Sequence, residues 1–224
     1  MTNLLMYAHF ERFNEIHIAD KLYTEMLELH KIGLAMRFRG IGIDPLAKAN
    51  HEQIFYKTAN DIADKITNFT KKLGFDDFNY NSRLDMVKLF IEKLQMGVIK
   101  TTVKGEPSFD INVLLIYAKS ENQIVATLAR LIISHKKIMK TLVTYAVNLP
   151  IKNSVMKWMN NKMLPISKVH PIWIPSATKT RRWGCKVPNV MNIPKARPQF
   201  ELPSMRNMYI GHYRKIPYLL TIPK

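Results

Sequence analysis

The sequence predicts an α+β fold that is predominantly α, in which a long helical region precedes a shorter region of strands and turns. Pro45, Pro107 and Pro150 are the only prolines up to position 150, so nine of the 12 prolines fall in 151–224. Proline breaks helix interiors but is tolerated in turns and at strand edges. Before that region, apolar residues recur at helical spacing. With 224 residues and 47% hydrophobic content, the chain can bury a sizeable core.

The first two predicted helices are joined by a short turn. A helix over about 18–38 is expected to end at Gly40, because glycine readily adopts the left-handed conformation that closes a helix. Asp44 then caps the second helix, and Pro45 occupies its first position. The residues predicted to form the buried side of this second helix are Ile54, Thr58, Ile62, Ile66, Phe69 and Leu73.

Three further helices are predicted downstream. The capping-box-like run 82–85 (SRLD) begins a third helix, with Leu84, Val87, Phe90, Ile91 and Leu94 as its apolar face. A loop over 100–107 precedes a short helix that starts after Asp110.

The last long helix is expected over about 121–147, where apolar residues again follow a helical period. Its apolar side is marked by Ile124, Leu128, Leu131, Ile132, Ile138, Met139, Leu142 and Tyr145, and its basic side by Lys136, Lys137 and Lys140.

The positive charge is concentrated in the second half of the chain. The net charge is +17, from 34 Lys+Arg and 17 Asp+Glu. Residues 1–100 contain 14 basic and 13 acidic residues, whereas 101–224 contain 20 and 4. A generally basic protein would spread its charge evenly. A basic region interleaved with aromatics and prolines indicates binding to a nucleic-acid backbone.

The cysteine count and the N-terminal sequence bear on where the protein acts. Cys185 is the only cysteine, which excludes a disulfide framework and a cysteine-based zinc site and fits a reducing compartment. The first 15 residues lack the pattern of a signal peptide, and no run reaches the ~18 apolar residues of a membrane span. We expect a soluble, cytoplasmic protein with no membrane partner.

Several segments resemble, in order, the family A DNA polymerases (the DNA polymerase I type). Residues 36–44 (MRFRGIGID) resemble the turn before the thumb, where the family usually has glutamate in place of Arg37. Residues 78–94 resemble the thumb segment F-N-x-N-S…L-F-x-x-L. Residues 102–110 are similar to the T-x-x-G-x-P-S-x-D loop, and residues 135–145 to the Y-R-x-L-x-K…T-Y helix.

The most specific resemblance is to the opening motif of the palm. Residues 178–194 (TKTRRWGCKVPNVMNIP) resemble T-G-R…P-N-L-Q-N-I-P, with Arg181 in place of glycine and Met191 in place of glutamine. Residues 205–209 (MRNMY) resemble L-R-x-M-F. The resemblance spans roughly 35–210, and the order of its pieces indicates homology.

This resemblance implies three regions. Residues 1–45 would be a helical lead-in from the proofreading-domain side, 46–150 a helical thumb, and 151–224 the N-terminal part of the palm. The family's D-Y-S-x-I-E-L-R strand, its fingers helix and its later H-D-E motif are not found in the sequence. We expect the chain to stop before the first metal-binding motif, with 216–224 as an edge strand that completes a partner's sheet.

Nucleotidyl transfer in this family uses two Mg²⁺ ions held by palm carboxylates. The basic half offers only Glu106, Asp110, Glu121 and Glu201, without paired-acid spacing. We therefore expect no catalytic residue, no metal ligand and no cofactor in this chain. Mg²⁺ in the assembled polymerase would be bound by a partner chain.

The resemblance implies a grip on primer–template DNA. Arg182 occupies the arginine of T-G-R and is assigned to phosphate or minor-groove contact near the primer end. Asn189 and Asn192 occupy the asparagines of the motif and are assigned to sugar or base edges. The other predicted DNA contacts are Lys136, Lys137, Lys140, Lys179, Arg181, Lys186 and Arg206.

Simpler interpretations stay open for several of these residues. The three lysines of the last helix could form an ordinary solvated face, and Asn189 and Asn192 could cap turns. Trp183 is interpreted as core packing, and His170 as structural. Cys185 is interpreted as a small unreactive residue.

The leading hypothesis is a split family A DNA polymerase of the kind that compact genomes such as phage genomes could encode. This chain would carry the thumb and the start of the palm, and a second chain the fingers and the rest of the palm. It would be inactive alone and would form part of a DNA-directed DNA polymerase (a nucleotidyltransferase) after assembly. One alternative is a non-catalytic, polymerase-derived protein for DNA binding or replication recruitment. Another is a structural RNA-binding protein, which would not explain the ordered motifs.

Overall fold

The computed structural model describes residues 19–159, 162–196 and 200–210, so the predicted edge strand over 216–224 lies outside the described residues. The described residues form two compact units. The sheet unit comprises those of 19–48, 149–195 and 204–210, and the helical unit those of 49–148 and 196–203. The three-part division expected from the sequence stays a prediction.

The sheet unit begins with helix α1 (Ala19–Arg39) and strand β1 (Ile41–Ile43). Strands β2 (Lys152–Met159), β3 (Lys162–Val169) and β6 (Tyr209–Ile210) complete a sheet with the order β2-β3-β1-β6. The neighbouring strands pair in the antiparallel direction. In this sheet β1 lies between two strands from the distant C-terminal part of the chain.

A smaller pair of strands lies in the same unit. Strand β4 (Ile172–Ile174) pairs antiparallel with β5 (Gly184–Lys186). Short 3₁₀ helices follow at Val190–Asn192 and Met205–Met208. The sequence therefore predicted correctly that this region consists of short strands and turns.

The turn between α1 and α2 (Pro45–Lys71) forms as its local sequence predicts. Gly40 has φ +65°, and its N–H donates to the Met36 carbonyl at 3.0 Å. Asp44 Oδ1 accepts from the N–H groups of Leu46 and Ala47 at 3.0 and 3.1 Å, so Asp44 is the N-cap. Strand β1 was not predicted.

The helical unit contains α2 from Ala49 onward, together with three shorter or later helices. Helix α3 (Arg83–Met86) continues as π-helix over Val87–Lys93. Helices α4 (Ile111–Tyr117) and α5 (Gln123–Leu142) follow, and π-helical turns over Val143–Val147 extend α5. Large side chains buried in the core of this unit include Phe90, Tyr117, Leu89, Leu114, Leu128, Ile132, Ile138 and Leu142.

The predicted buried side of α2 is partly wrong. The buried residues are His51, Phe55, Ala59, Ile62, Ile66 and Thr70. Ile62 and Ile66 were predicted, but the other predicted positions are only partly buried. The actual stripe runs through Phe55 and Ala59, because a surface helix buries a stripe of limited width and the remaining predicted residues flank it.

The predicted face of the third helix is also displaced. Leu84 is 64% exposed, whereas Met86 and Leu89 are buried beside Phe90. The Leu94 N–H donates to the Leu89 carbonyl, an i→i+5 bond of a π-helix. The wider turn rotates the residues of Val87–Lys93 relative to the 3.6-residue period from which the face was predicted, whereas Leu84 lies exposed in the α-helical turn before it.

The last long helix was predicted with nearly the observed extent. Asn122 caps it through its side-chain oxygen, which accepts from Ile124 and Val125 N–H. Of the residues predicted on its apolar side, Ile124 was predicted wrongly, since it is 41% exposed in the first turn.

Among the described residues, no helix is both long and apolar enough to cross a membrane.

Candidate nucleic-acid interface

The ten residues predicted to bind DNA fall into two groups, one in each unit. Lys136, Lys137 and Lys140 lie on α5 of the helical unit. The group in the sheet unit consists of Lys179, Arg181, Arg182, Lys186, Asn189, Asn192 and Arg206.

The loop before β5 holds the first basic residues of the sheet-unit group. The Arg182 N–H donates to Thr178 Oγ1 at 3.1 Å, and the Arg182 carbonyl accepts from the Ala177 N–H at 2.9 Å. The Arg181 N–H donates to the Thr178 carbonyl at 2.9 Å. These bonds fix the backbone, while Lys179 and both arginines are exposed. The loop thus presents three cations on a defined turn.

Arg181 has φ +56°, in the left-handed region that favours glycine. This is the position at which the resembled motif has glycine. The substitution therefore adds a cation to the loop at a backbone conformation that glycine adopts readily. Arginine in this conformation carries a backbone strain that glycine would avoid.

The other polar residues of this group lie around the first 3₁₀ helix. Lys186 ends β5, and Asn189 and Asn192 are exposed at the two ends of the Val190–Asn192 helix. The Asn189 side chain makes no capping hydrogen bond, which removes the support for the turn-capping interpretation at that residue. Arg206 Nε donates to the Ile193 carbonyl at 3.1 Å, so this arginine also links two backbone segments.

Three residues for which a structural role was favoured do have structural contacts. Trp183 is partly buried, and its ring lies 3.5 Å from where a Cβ at Gly33 would be. The ring of His170 makes a 2.8 Å hydrogen bond with the carbonyl of Arg37. Cys185 is buried, its thiol donates to a backbone carbonyl at 3.2 Å, and burial raises its pKa.

The helical unit contains a cavity of about 220 Å³ that is lined by both polar and apolar residues. The polar side chains that line it are Tyr80, Asn81, Ser82, Arg83, Thr102, Ser108 and Lys136. Two cations beside hydroxyl and amide groups match the donors that proteins use for phosphate oxygens. Of these residues only Lys136 was predicted to bind DNA, although 78–94 and 102–110 were matched to thumb motifs. The F-N-x-N-S and P-S motifs were the signal that could have found the others.

Lys136 differs from the other two lysines of its helix. Lys137 and Lys140 are exposed, whereas Lys136 is partly buried and lines the cavity. Burial lowers the pKa of Lys136. The interpretation as an ordinary solvated face therefore stays open for Lys137 and Lys140, whereas the partial burial of Lys136 argues against it at that residue.

Two carboxylates beside this region have structural partners. Glu106 forms an ion pair with Arg83. Asp110 contacts Lys100 at 2.5 Å and caps α4 through Asn112 and Val113 N–H. The hydrogen bond from Lys100 contributes most to lowering the pKa of Asp110.

The magnesium chemistry of the resembled family requires carboxylate ligands. Within the described part of the chain, no group of three or more His, Cys, Asp or Glu side chains could hold a metal ion. The absence of metal ligands expected from the sequence stays a prediction.

His135, next to Lys136, makes the stability of the helical unit sensitive to pH. The Tyr80 hydroxyl lies 3.1 Å from the His135 ring, and the two rings are 5.0 Å apart in an edge-on arrangement. Burial, and then the charge of Lys136, lowers the pKa of His135 from its ordinary value of 6.5. The His135 side chain therefore binds a proton more readily in the unfolded chain than in the folded chain. The free energy of unfolding decreases as the pH falls from the pKa of His135 in the unfolded chain through its pKa in the folded chain.

We expect the free energy of unfolding to decrease more steeply in the wild type than in His135→Gln between about pH 7.5 and about pH 5.5. Urea denaturation at several pH values measures this difference. Parallel profiles for the two proteins would contradict it.

Comparison with known structures identifies the fold. The chain is similar to the POL domain of Pol1 from M. smegmatis, a structure in complex with DNA primer-template and dNTP, with a TM-score of 0.61 and 15% sequence identity. The match covers 90% of this chain and 32% of that chain, so this protein spans about a third of its structural relative. The predicted α+β, predominantly α fold is confirmed.

Comparison of sequences identifies the family. The family model for DNA polymerase family A matches residues 48–220, well over half of the chain, and the protein therefore belongs to DNA polymerase family A. The resemblance found in the ordered motifs is confirmed. The curated proteins contain no significant match.

Proposed function

We propose that this chain is the thumb and first part of the palm of a family A DNA polymerase, and that it grips primer–template DNA for synthesis completed by a second chain. The observation that carries the proposal is the cavity that brings Lys136 together with hydroxyl and amide groups, beside Arg83 and its ion-pair partner Glu106, in a family A fold. Membership of the family supports a nucleic-acid partner, and the cationic and hydroxyl groups of the cavity support contact with its phosphates.

The electrostatics favour a backbone grip over base readout. Residues 101–224 carry 20 basic and 4 acidic residues, and exposed cations among the predicted contacts lie on α5 and on the loop before β5. Contacts of this kind release counterions and depend little on base sequence. The grip is therefore expected to accept primer–template duplexes of many sequences.

The second chain is proposed to supply the fingers, the rest of the palm and the carboxylates that bind Mg²⁺. Glu106 and Asp110, two of the four acidic residues in the basic half, already have cationic partners. The structural relative is about three times as long as the part that this chain covers. When bound, Mg²⁺ would supply the Lewis-acid chemistry of nucleotidyl transfer.

The proposal is tested with the purified chain and a defined second chain. Fluorescence anisotropy should detect binding to primer–template at low ionic strength, with steep salt dependence. Primer extension should require a polypeptide from the same source that carries the D-Y-S-x-I-E-L-R motif. Primer extension by this chain alone would contradict the proposal that a second chain supplies the catalytic residues. Negligible affinity for DNA would contradict the proposal that this chain binds primer–template.

A non-catalytic, polymerase-derived DNA-binding protein is the second candidate. Met191 favours it, since a 49% exposed methionine replaces the amide that the palm motif provides. DNA binding without extension in the presence of the second chain would support this candidate. Tighter binding to structured RNA than to primer–template, at the same salt concentration, would support a structural RNA-binding role.

A further inference from the structure

Helix α1 exposes an apolar stripe that the nucleic-acid proposal does not explain. Tyr23, Leu27, Leu34 and Phe38 follow one another at intervals of four, seven and four residues, which places them on one side of the helix. All four are exposed, and Phe38 is 81% exposed. A stripe of this kind in a strongly basic protein indicates contact with another molecule.

The stripe leads into a groove of about 600 Å³ in the sheet unit. Its lining is mainly apolar and consists of Leu34, Phe38, Pro150, Ile172 and Val187, together with Arg37, Lys152 and His170. Val187 is 63% exposed, so the groove has an open mouth. The side chain of one large apolar residue would fill part of this volume and remove the exposed surfaces from water.

The polar residues of the groove are cationic or neutral. Arg37 and Lys152 are exposed at the groove, and none of the described residues that line it carries a carboxylate. Arg37 stands where the family usually has glutamate, so the positive charge is a property of this chain and not of the family motif. A partner with carboxylates around its apolar contact would match these charges.

The apolar lining and the positive charge together indicate which kind of molecule binds in the groove. A second copy of the chain would bring another +17 charge and the same two cations to the contact. A nucleic acid would neutralise Arg37 and Lys152 but would leave the apolar floor without a matching surface. A polypeptide with an apolar anchor flanked by Asp or Glu satisfies both parts of the groove.

We propose that the groove formed by α1, β4 and the segment around Pro150 is the docking site of the second polymerase chain. That chain inserts an aromatic or aliphatic side chain against Phe38 and Leu34 and places carboxylates near Arg37 and Lys152. This inference rests on the proposed function and deepens it by naming the surface that the partner contacts.

The test measures the dissociation constant between this chain and the second chain that restores primer extension. Phe38→Ala should weaken the complex by roughly 30-fold, as expected for truncation of a buried aromatic anchor. The matched control is Leu46→Ala, because Leu46 is also 81% exposed on a helix of the same unit. That control should leave the dissociation constant unchanged.

The charge component has its own variants. Arg37→Glu with Lys152→Glu should weaken the complex by at least about tenfold and reduce its dependence on salt. Lys57→Glu with Lys88→Glu changes the net charge equally at exposed positions of the helical unit and should have a much smaller effect.

The outcomes separate the two proposals. If the second chain restores extension but Phe38→Ala and Leu46→Ala bind it equally well, the docking site is wrong and the split polymerase stands. If no second chain restores extension with the wild type, the proposed function fails before any variant is compared. Three other results, each seen in Phe38→Ala but not in Leu46→Ala, would overturn the docking proposal. Loss of a wild-type dimer would assign the groove to a second copy of the chain, and loss of DNA affinity would assign it to nucleic acid. Loss of folding stability would mean that the groove packs against this chain's own residues.

Discussion

Replacing Lys136, Lys137 and Lys140 by glutamine is expected to reduce the affinity of this protein for primer–template DNA by about 100- to 500-fold at about 0.1 M monovalent salt. Each lysine that contacts a phosphate accounts for about 0.9 released counterion, so the slope of log affinity against log salt should fall by about 2.7. Fluorescence anisotropy over a salt series measures both quantities.

The control for this variant carries the same change in charge elsewhere in the helical unit. Lys57, Lys71 and Lys72 are exposed on α2 or directly after it, and their replacement by glutamine should reduce the salt slope by much less. Equal losses in the two triple variants would mean that affinity follows total charge and not a defined grip. Circular dichroism and thermal denaturation should show that both variants stay folded.

Lys136 is the residue at which this prediction depends most on the structure. It is partly buried beside Arg83, Ser82 and Ser108, and glutamine retains much of its aliphatic stem. The single variant Lys136→Gln should therefore lose more affinity than Lys137→Gln or Lys140→Gln. The basic side of a helix could be predicted from spacing, but the cavity could not, because it joins residues about 55 positions apart.

Helix boundaries were the part of the fold that the sequence predicted best. Asp44, Asp110 and Asn122 each cap a helix through a side-chain oxygen, and such caps act over only two or three residues. Strand β1 was missed because its hydrogen-bonding partners are distant in the sequence. Its three residues pair with β3 and β6, more than 120 residues downstream, and no local pattern carries that information.

The candidate site shows the same division between local and tertiary information. Arg181 could be recognised as a departure from a glycine motif, but only the structure gives its left-handed backbone conformation. Burial and then the charge of Lys136 lower the pKa of His135, and both depend on how α5 packs. Sequence patterns thus identified which segments matter, while the structure determined which side chains face the same space.

Replacing Phe90 by alanine is expected to lower the free energy of unfolding of the helical unit by about 3–5 kcal/mol. Phe90 is fully buried, and its ring stacks on that of Tyr117 with centroids 5.2 Å apart. Phe109 lies 6.1 Å from Phe90 on another side, so the truncated side chain would leave a cavity between two aromatic rings. Tyr117 in turn donates its hydroxyl to the Gly97 carbonyl at 2.9 Å, which limits how far the core can relax.

Urea denaturation measures this loss, and Leu84→Ala on the same helical segment is the control because Leu84 is 64% exposed. The control should change stability by no more than about 0.5 kcal/mol. If Phe90→Ala does not fold, Phe90→Leu should still lose at least about 1 kcal/mol. A loss below this value in both Phe90 variants would mean that the π-helical face is not the core. The same cluster includes Phe109, which lines the cavity with Lys136. If the cavity binds phosphate as proposed, a folded Phe90 variant should also bind DNA more weakly.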